Sequence, residues 1–270
     1  MGLATFKRKL RRRLAPISSD ALRRALDTVT SGGHPILYVH SGISGVGHFR
    51  AGPESVASGL REFCDTLFQP THSYNYPPSP DQPAPVFDAA ATPSQLGLFS
   101  EMFRKMPGVI RSIHSTHSIA AEGRLAADFC AGHYEQDTPC GLGTPYSRVV
   151  HAAGAALMFG VDFTYYTPFH TAEWESGSAF AYEPEERNLL RFLDENGVLR
   201  ERLRMRQNRI VPRFQAAGVL LEQQGFVRRV PLGRSYLLCV PDMLKAHDFL
   251  VERLRKVPDF LRSTCTAELV

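Results

Sequence analysis

Pro35-Ile36-Leu37-Tyr38-Val39-His40 is a short apolar, β-rich run flanked by glycines, and it constrains the fold more than any other feature of the chain. A strand built from consecutive apolar residues has no solvent face and must be covered on both sides. The residues before it read as an amphipathic helix. Ser18-Ser19-Asp20 supply an N-cap, Ala21, Leu22, Leu26 and Val29 follow as an apolar-periodic run, and Ser31-Gly32-Gly33 ends it. Helix followed by buried strand is the opening of an α/β domain. Ala152 to Val161 reads as a second buried apolar strand, ending in Gly160.

Between and after these runs the patterning predicts further elements. Ser41 to Gly52 is a glycine-rich loop, and Pro53 to Phe68 returns to helical spacing through Val56, Leu60, Phe63 and Leu67. Residues 77 to 93 carry Pro77, Pro78, Pro80, Pro83, Pro85 and Pro93, which predicts an extended surface excursion. Leu96 to Arg104 and Ile119 to Ala131 read as short helices. Glu183 to Gly225 reads as mostly helical and charged, Tyr236 to Val240 as a late strand, and Met243 to Leu254 as a final helix. No internal repeat divides the chain. The expectation is one α/β domain over residues 18–270, preceded by a basic arm over residues 1–17.

The 270 residues suffice for a substantial core, and 43% hydrophobic with 21% charged residues is ordinary globular composition. No apolar run approaches the ~18–20 residues that span a bilayer, and the N-terminus lacks the apolar core of a signal peptide. A cytoplasmic enzyme is the default expectation. Cys64, Cys130, Cys140, Cys239 and Cys265 are scattered, without a C-x-x-C pair, and read as thiols in a reducing compartment. The net charge of +4 is unevenly placed. Residues 1–24 hold eight basic side chains against Asp20 alone, a local +7, which leaves −3 for the rest. That is not the footprint of a nucleic-acid binder, and no nucleic-acid partner is expected. The arm is either a solvated terminus or, if helical, a weak contact for an anionic membrane surface.

His170-Thr171-Ala172-Glu173 follows soon after the second apolar strand, placing an imidazole and a carboxylate near a strand exit, where α/β enzymes keep their sites. Acyl transfer to an amine needs a base, because an ammonium has no lone pair to attack with. An imidazole suits that task, and a carboxylate can hold its tautomer. By itself an H-x-x-E pair is also compatible with a structural histidine.

Four further segments accompany it: Val39-His40-Ser41-Gly42-Ile43-Ser44-Gly45-Val46-Gly47, Pro70-Thr71-His72-Ser73-Tyr74, Thr92-Pro93-Ser94-Gln95-Leu96-Gly97 and Arg111-Ser112-Ile113-His114-Ser115-Thr116-His117-Ser118. In order and spacing these resemble the antibiotic N-acetyltransferase family, whose best-known members are the aminoglycoside 3-N-acetyltransferases. The departures are Gly42 where the family has a second Ser, Ser115 where it usually has Pro, and Ala51 to Ser55 in place of its Gly-Gly-Ala-type helix entry. The resemblance runs from end to end apart from the arm. It implies a single domain with a mixed central sheet flanked by helices, and an acetyl (acyl) group moving from acetyl-coenzyme A to an amine of an aminoglycoside or amino sugar.

The resemblance also implies roles. His170 would be the general base, with Glu173 as its orienter. His40, Ser41, Gly42 and Ile43 would line the coenzyme A arm, with Ser112 and Ser118 donating toward the thioester. His72, Tyr74, His114 and Glu175 would sit on the side of the small-molecule amine. Thr92 or Ser94 would cap a helix, Arg111 could organise its loop, and His117 is acceptor-specific or incidental. No metal is implied, and a homodimer is compatible with the pattern. Within the class, an amino-sugar or sugar-nucleotide N-acyltransferase of surface polysaccharide assembly is the alternative. From a different class, a metal-dependent hydrolase could use His114-x-x-His117 with His170-x-x-Glu173 as a zinc site, although neither pair has the spacing of H-E-x-x-H.

Overall fold

The structure is a computed structural model that describes residues 16–79, 82–136, 138–178, 183–206 and 212–262. The basic arm therefore lies almost entirely outside the described residues, as does Cys265. Helix α1 (Ser19–Thr30) begins where the sequence predicts. The Ser18 side chain accepts from the Ala21 N–H, and Ser31, in the left-handed region, closes the helix on the Asp27 carbonyl. Strand β1 (Ile36–Ser41) follows, buried along its length apart from Ser41 at its end.

β1 is the centre of a seven-stranded sheet. Counting strands in chain order, these are β2 (Thr66–Pro70), β4 (Ile110–Arg111), β5 (Ile119–Gly123), β6 (Ala155–Phe159), β9 (Arg228–Leu232) and β10 (Ser235–Val240). The spatial order is β4-β5-β2-β1-β6-β10-β9. β2 and β6 run parallel to β1 on opposite sides, and the outer strands pair antiparallel. The sheet is mixed, as expected. Period-two alternation divides β1 between two cores. Leu37 and Val39 join the layer of α1 and α3 (Glu54–Arg61), while Ile36 and Tyr38 face the layer of α6 (Pro145–His151), α8 (Phe214–Gln223) and α9 (Met243–Lys256). The chain leaves β1 for β2 on one side and later fills β6 on the other. The carboxyl end of β1 is thus a topological switch point, where open α/β sheets hold ligands.

Several expected elements take other forms. The glycine-rich loop holds one short helix, α2 (Ile43–Val46). The helical spacing over 53–68 ends at Arg61, and Thr66 to Pro70 is strand β2, paired in register with Ile36, Leu37 and Tyr38 and wholly buried. Ile119 to Gly123 is strand β5 against β2, and only Ala126–Cys130 (α5) is helical. A three-residue Ile-Ala-Ala start suits either state, and pairing with β2 decides it. The region 183–225 is mostly not helical. It forms a hairpin of β7 (Glu183–Leu193) and β8 (Leu199–Arg206) before α8. The buried Leu190 and Phe192 flank the partly exposed Arg191, which is a strand period that charge density obscures. The proline-rich excursion also turns inward, because Phe87 in β3 (Val86–Phe87) is buried and pairs with Phe192. Helix α4 (Leu98–Phe103) is capped at Gly97 rather than at Thr92 or Ser94, although Glu101 reaches back to the Ser94 N–H at 2.7 Å. Helix α7 (Pro168–Glu175) follows β6.

Among the described residues no helix is long and apolar enough to cross a membrane.

α8 approaches the turn Phe163–Tyr165 so closely that a Cβ at Gly218 would fall inside the Phe163 ring. Gly218→Ala is therefore expected to destabilise the fold by about 1–3 kcal/mol through overpacking. Intrinsic propensity alone would favour Ala by ~1 kcal/mol. Urea unfolding gives the sign directly, and a more stable variant would refute the packing argument.

Candidate active site

A cavity of about 610 Å³ opens at the carboxyl ends of β1, β2 and β6. His40, Ser41 and Gly42 come from the end of β1, Gln69 from β2, and Thr167 and His170 from the segment after β6. A narrower cavity of about 250 Å³, bordered by Ile43, Phe49, Leu98 and Phe99, meets it at Ser41, Gly42, Leu96 and Gly97. Gly42 is required at the junction, since a Cβ there would lie 2.6 Å from Val161 Cγ1. Two adjoining compartments, one broad and of mixed polarity and one narrow and mostly apolar, suit a pair of ligands.

His170 stands on the first turn of α7, and its Nδ1 lies 2.9 Å from Glu173 Oε2, one helical turn later. An ionised carboxylate can only accept, so Nδ1 carries the proton and Nε2 is the basic nitrogen. Glu173 is itself buried, and its other oxygen lies 2.6 Å from Arg262 Nη2, which is equally buried. Arg262 sits near the end of the described chain, held by an Arg262 N–H to Asp259 carbonyl bond of 2.8 Å and by a bridge to Pro212. The site is therefore a buried line of three: guanidinium, carboxylate, imidazole. Nothing local in the sequence marks Arg262 as a partner of α7, and the sequence reading missed it.

His40, His72, His114 and His133, in or behind the wall, are held neutral. Tyr146 donates to the His117 carbonyl at 3.0 Å, so it accepts from His72 Nε2 at 2.8 Å, which leaves His72 Nδ1 to accept from Tyr74 at 3.1 Å. Burial, reinforced by neighbouring imidazoles, pushes His72 well below its usual range. Burial alone lowers His40 to about 3, and its Nε2 meets Thr167 Oγ1 at 3.0 Å. His114 accepts the Thr116 and His117 N–H groups on Nδ1, and burial lowers it too. His133 bridges Ser112 and the Pro139 carbonyl and is lowered by burial to about 4.

The expected site residues thus separate into groups. His170, His40, Ser41, Gly42, His72 and Tyr74 converge on the main cavity, joined by His117, and Ile43 lines the narrow one. Ser112 and Ser118 border neither cavity. Ser112 is taken by His133 and the Ile119 N–H, and Ser118 donates to the Thr71 carbonyl and accepts from Arg111. Arg111 is the organiser of this region, reaching Ala89, Thr92 and Thr71 carbonyls from inside the fold. His114 is a wall support behind the cavity. Glu175 points the other way, toward His151 and His247, and leaves the amine side altogether. Thr167, Gln69, Tyr146 and Phe214 are further site residues that the sequence reading did not name. Gln69 was hidden because its strand was read as the tail of a helix.

A family model described as aminoglycoside 3-N-acetyltransferase matches residues 38–263. The chain belongs to this family. Aminoglycoside N(3)-acetyltransferase VII of Streptomyces paromomycinus is 29% identical over 181 residues, 61% of this chain and 62% of that protein. Aminoglycoside N(3)-acetyltransferase III of Acinetobacter baumannii is 29% identical over 154 residues, covering 51% of this chain and 54% of the relative. The chain thus matches under two-thirds of the length of these relatives. Among solved structures, aminoglycoside acetyltransferase AAC(3)-Xa shares the fold with a TM-score of 0.79 at 22% identity, over 96% of this chain and 99% of its own. AAC-IIIb in binary complex with CoASH gives 0.75 at 21% identity, over 90% and 97%.

Two predictions follow from the geometry. Arg262→Met leaves the Glu173 carboxylate buried without its cation, an arrangement that costs about 3–5 kcal/mol. Chemical denaturation at neutral pH should show that loss, and wild-type stability in the variant would remove Arg262 from the line.

The second concerns acid. His40, His72, His114 and His133 titrate near 6.5 when unfolded but resist protonation in the fold. Above that pH neither state binds the protons and the effect vanishes. Below it the unfolded chain takes them up first, so stability falls with pH by about 1.4 kcal/mol per unit per group. Unfolding midpoints should be level from pH 8 to 7 and decline steeply from 6.5 toward 4. A midpoint unchanged at pH 5 would contradict the neutral wall.

Proposed function

We propose that this chain transfers an acetyl group from acetyl-coenzyme A to the amine of an aminoglycoside or amino sugar, with His170 as general base. The observation that carries this reading is the Arg262–Glu173–His170 line, whose His170 borders the broader of two adjoining cavities. Membership of the family and the likeness to a fold seen with CoASH support the donor. The narrow compartment fits a thin, flexible donor arm. Small residues form its junction with the main cavity, and Phe49, Leu98 and Phe99 offer apolar contact.

The donor supplies a thioester carbonyl that an amine lone pair attacks, and a thiol leaves. His170 takes the proton from the attacking amine on Nε2 and returns it to the departing sulfur, so the imidazole is regenerated in each cycle. Glu173 keeps Nδ1 protonated and compensates the imidazolium while it exists. Arg262 holds Glu173 oriented. His40 and His72, neutral through burial, add no positive charge that would repel an amine. No covalent acyl-enzyme is needed, and Cys64, Cys130 and Cys239 are unsuited to form one, since burial raises each thiol to about 12.

The lining favours a second reading of the acceptor. Among the described residues the main cavity contains no aspartate or glutamate, and Tyr74, Tyr76, Tyr165 and Phe214 supply aromatic surface instead. A polycation loses much hydration on entering such a site, with no carboxylates to replace it. A singly aminated sugar, free or nucleotide-linked, is the acceptor that this chemistry suits better.

A thiol-release assay with acetyl-coenzyme A against polyaminated aminoglycosides and singly aminated sugars tests both points. His170→Ala is expected to lower kcat by about 10²–10⁴-fold while coenzyme A binding by calorimetry persists. Turnover that survives the substitution would remove His170 as base. Preference for the polyaminated panel would decide the acceptor against the second reading.

A further inference from the structure

Behind α7, away from the cavity, three side chains that the proposed reaction does not use converge from three helices. His151 closes α6, Glu175 closes α7, and His247 lies on the second turn of α9. His151 Nε2 lies 2.9 and 3.1 Å from the two Glu175 oxygens, and His247 Nε2 lies 2.9 Å from Oε2. One ligand atom from each residue can be chosen so that all three lie within 4.8 Å of one another. His247 is almost fully buried and Glu175 largely so, while the His151 ring is 43% exposed.

We propose that His151, Glu175 and His247 form a binding site for a divalent transition-metal ion of the zinc type. Two imidazoles and one carboxylate match the donor preference of such ions, whereas calcium and magnesium prefer all-oxygen sets. A tetrahedral ion about 2.0–2.2 Å from each ligand separates neighbouring donors by roughly 3.3 Å. The two histidine–carboxylate contacts need to open by only a few tenths of an ångström, and the two imidazole nitrogens, within 4.8 Å of each other, approach as the exposed His151 ring turns. Both rings present the same nitrogen inward.

Three surroundings agree. α6 and α7 end at the site, so the negative ends of two helices face a cation. Ser147 Oγ donates to Glu175 Oε1 at 3.3 Å, fixing the carboxylate from behind. A cavity of about 460 Å³, lined by Glu175 and His247 with Asp248, Glu252 and Arg255, leaves space for water at a fourth position. The ion would tie α6, α7 and α9 together and brace the helix that carries His170. It takes no part in the acyl transfer.

The test uses the full chain without a polyhistidine tag, stripped with a chelator and titrated with zinc against a chromophoric competitor. One zinc per chain is expected, with a dissociation constant on the order of micromolar or tighter, together with a rise in Tm on loading. His151→Ala, at an exposed position, and Glu175→Gln should each weaken binding at least about tenfold, with circular dichroism confirming the fold. No stoichiometric zinc, equal affinity in both variants, or an unchanged Tm on loading would each overturn the site and leave Glu175 as a carboxylate held between two histidines.

Discussion

The ion pair between Arg262 and Glu173 is the interaction on which the rest of this structure depends. Both side chains are 1% exposed, and such a pair does not arise from burial by itself, because desolvating two charges costs more than surface Coulomb attraction returns. It holds because packing seats Phe260 and Leu261 in one core with Phe169 and Ala172 of α7. Phe260 and Leu261 are buried beside it, and the Leu261 carbonyl accepts the Arg213 N–H. The same contact orders three things at once: residues 258–262, helix α7 and the tautomer of His170. Remove the cation and a buried carboxylate loses its partner, so folding and the orientation of His170 are coupled at one atom pair.

The wall opposite solves the reverse problem. A cavity proposed to take an amine should not be ringed by imidazolium, yet His40, His72, His114 and His133 all lie in or behind it. Each is kept neutral by desolvation, and for His72, His114 and His133 a hydrogen bond occupies the lone pair on one ring nitrogen. Arg111 is the buried cation of this region, and it is spent on backbone carbonyls rather than aimed at the ligand. The wall is therefore polar without being charged. That distinguishes positioning by hydrogen bonds from attraction by charge, and it is the physical basis for preferring a weakly charged acceptor.

Much of this was legible in the sequence wherever a signal was local. Ser18 as N-cap, the continuous apolar run of β1 and the i, i+3 pair His170/Glu173 are each decided within a few residues, and each appears in place. Strands whose identity depends on a distant partner were not legible. Thr66–Pro70 continues a helical spacing by coincidence, and only its register with Ile36–Tyr38 makes it a strand. Ile119–Gly123 is decided by the same neighbour. The β7–β8 hairpin was masked by charged residues that suit a solvated helix equally well. Misreading β2 hid Gln69, and no pattern within a window could pair Arg262 with Glu173.

Glu175 shows why spacing alone assigns sides poorly. It follows Glu173 by two positions, and on a helix two positions separate side chains by about 200°, so the two carboxylates cannot share a face. Glu173 turns inward to Arg262, and Glu175 turns to the seam between α6 and α9. α7 is consequently polar on two sides, which is unusual for a helix packed against a core and costly unless both sides find partners. One side is satisfied by Arg262 and His170. The other is satisfied by two histidines from two neighbouring helices, which fixes the helix about its own axis. The proposed base and its orienter need that rotational restraint, because a small roll of α7 would carry Glu173 away from Arg262, 2.6 Å off, and turn His170 out of line with the cavity.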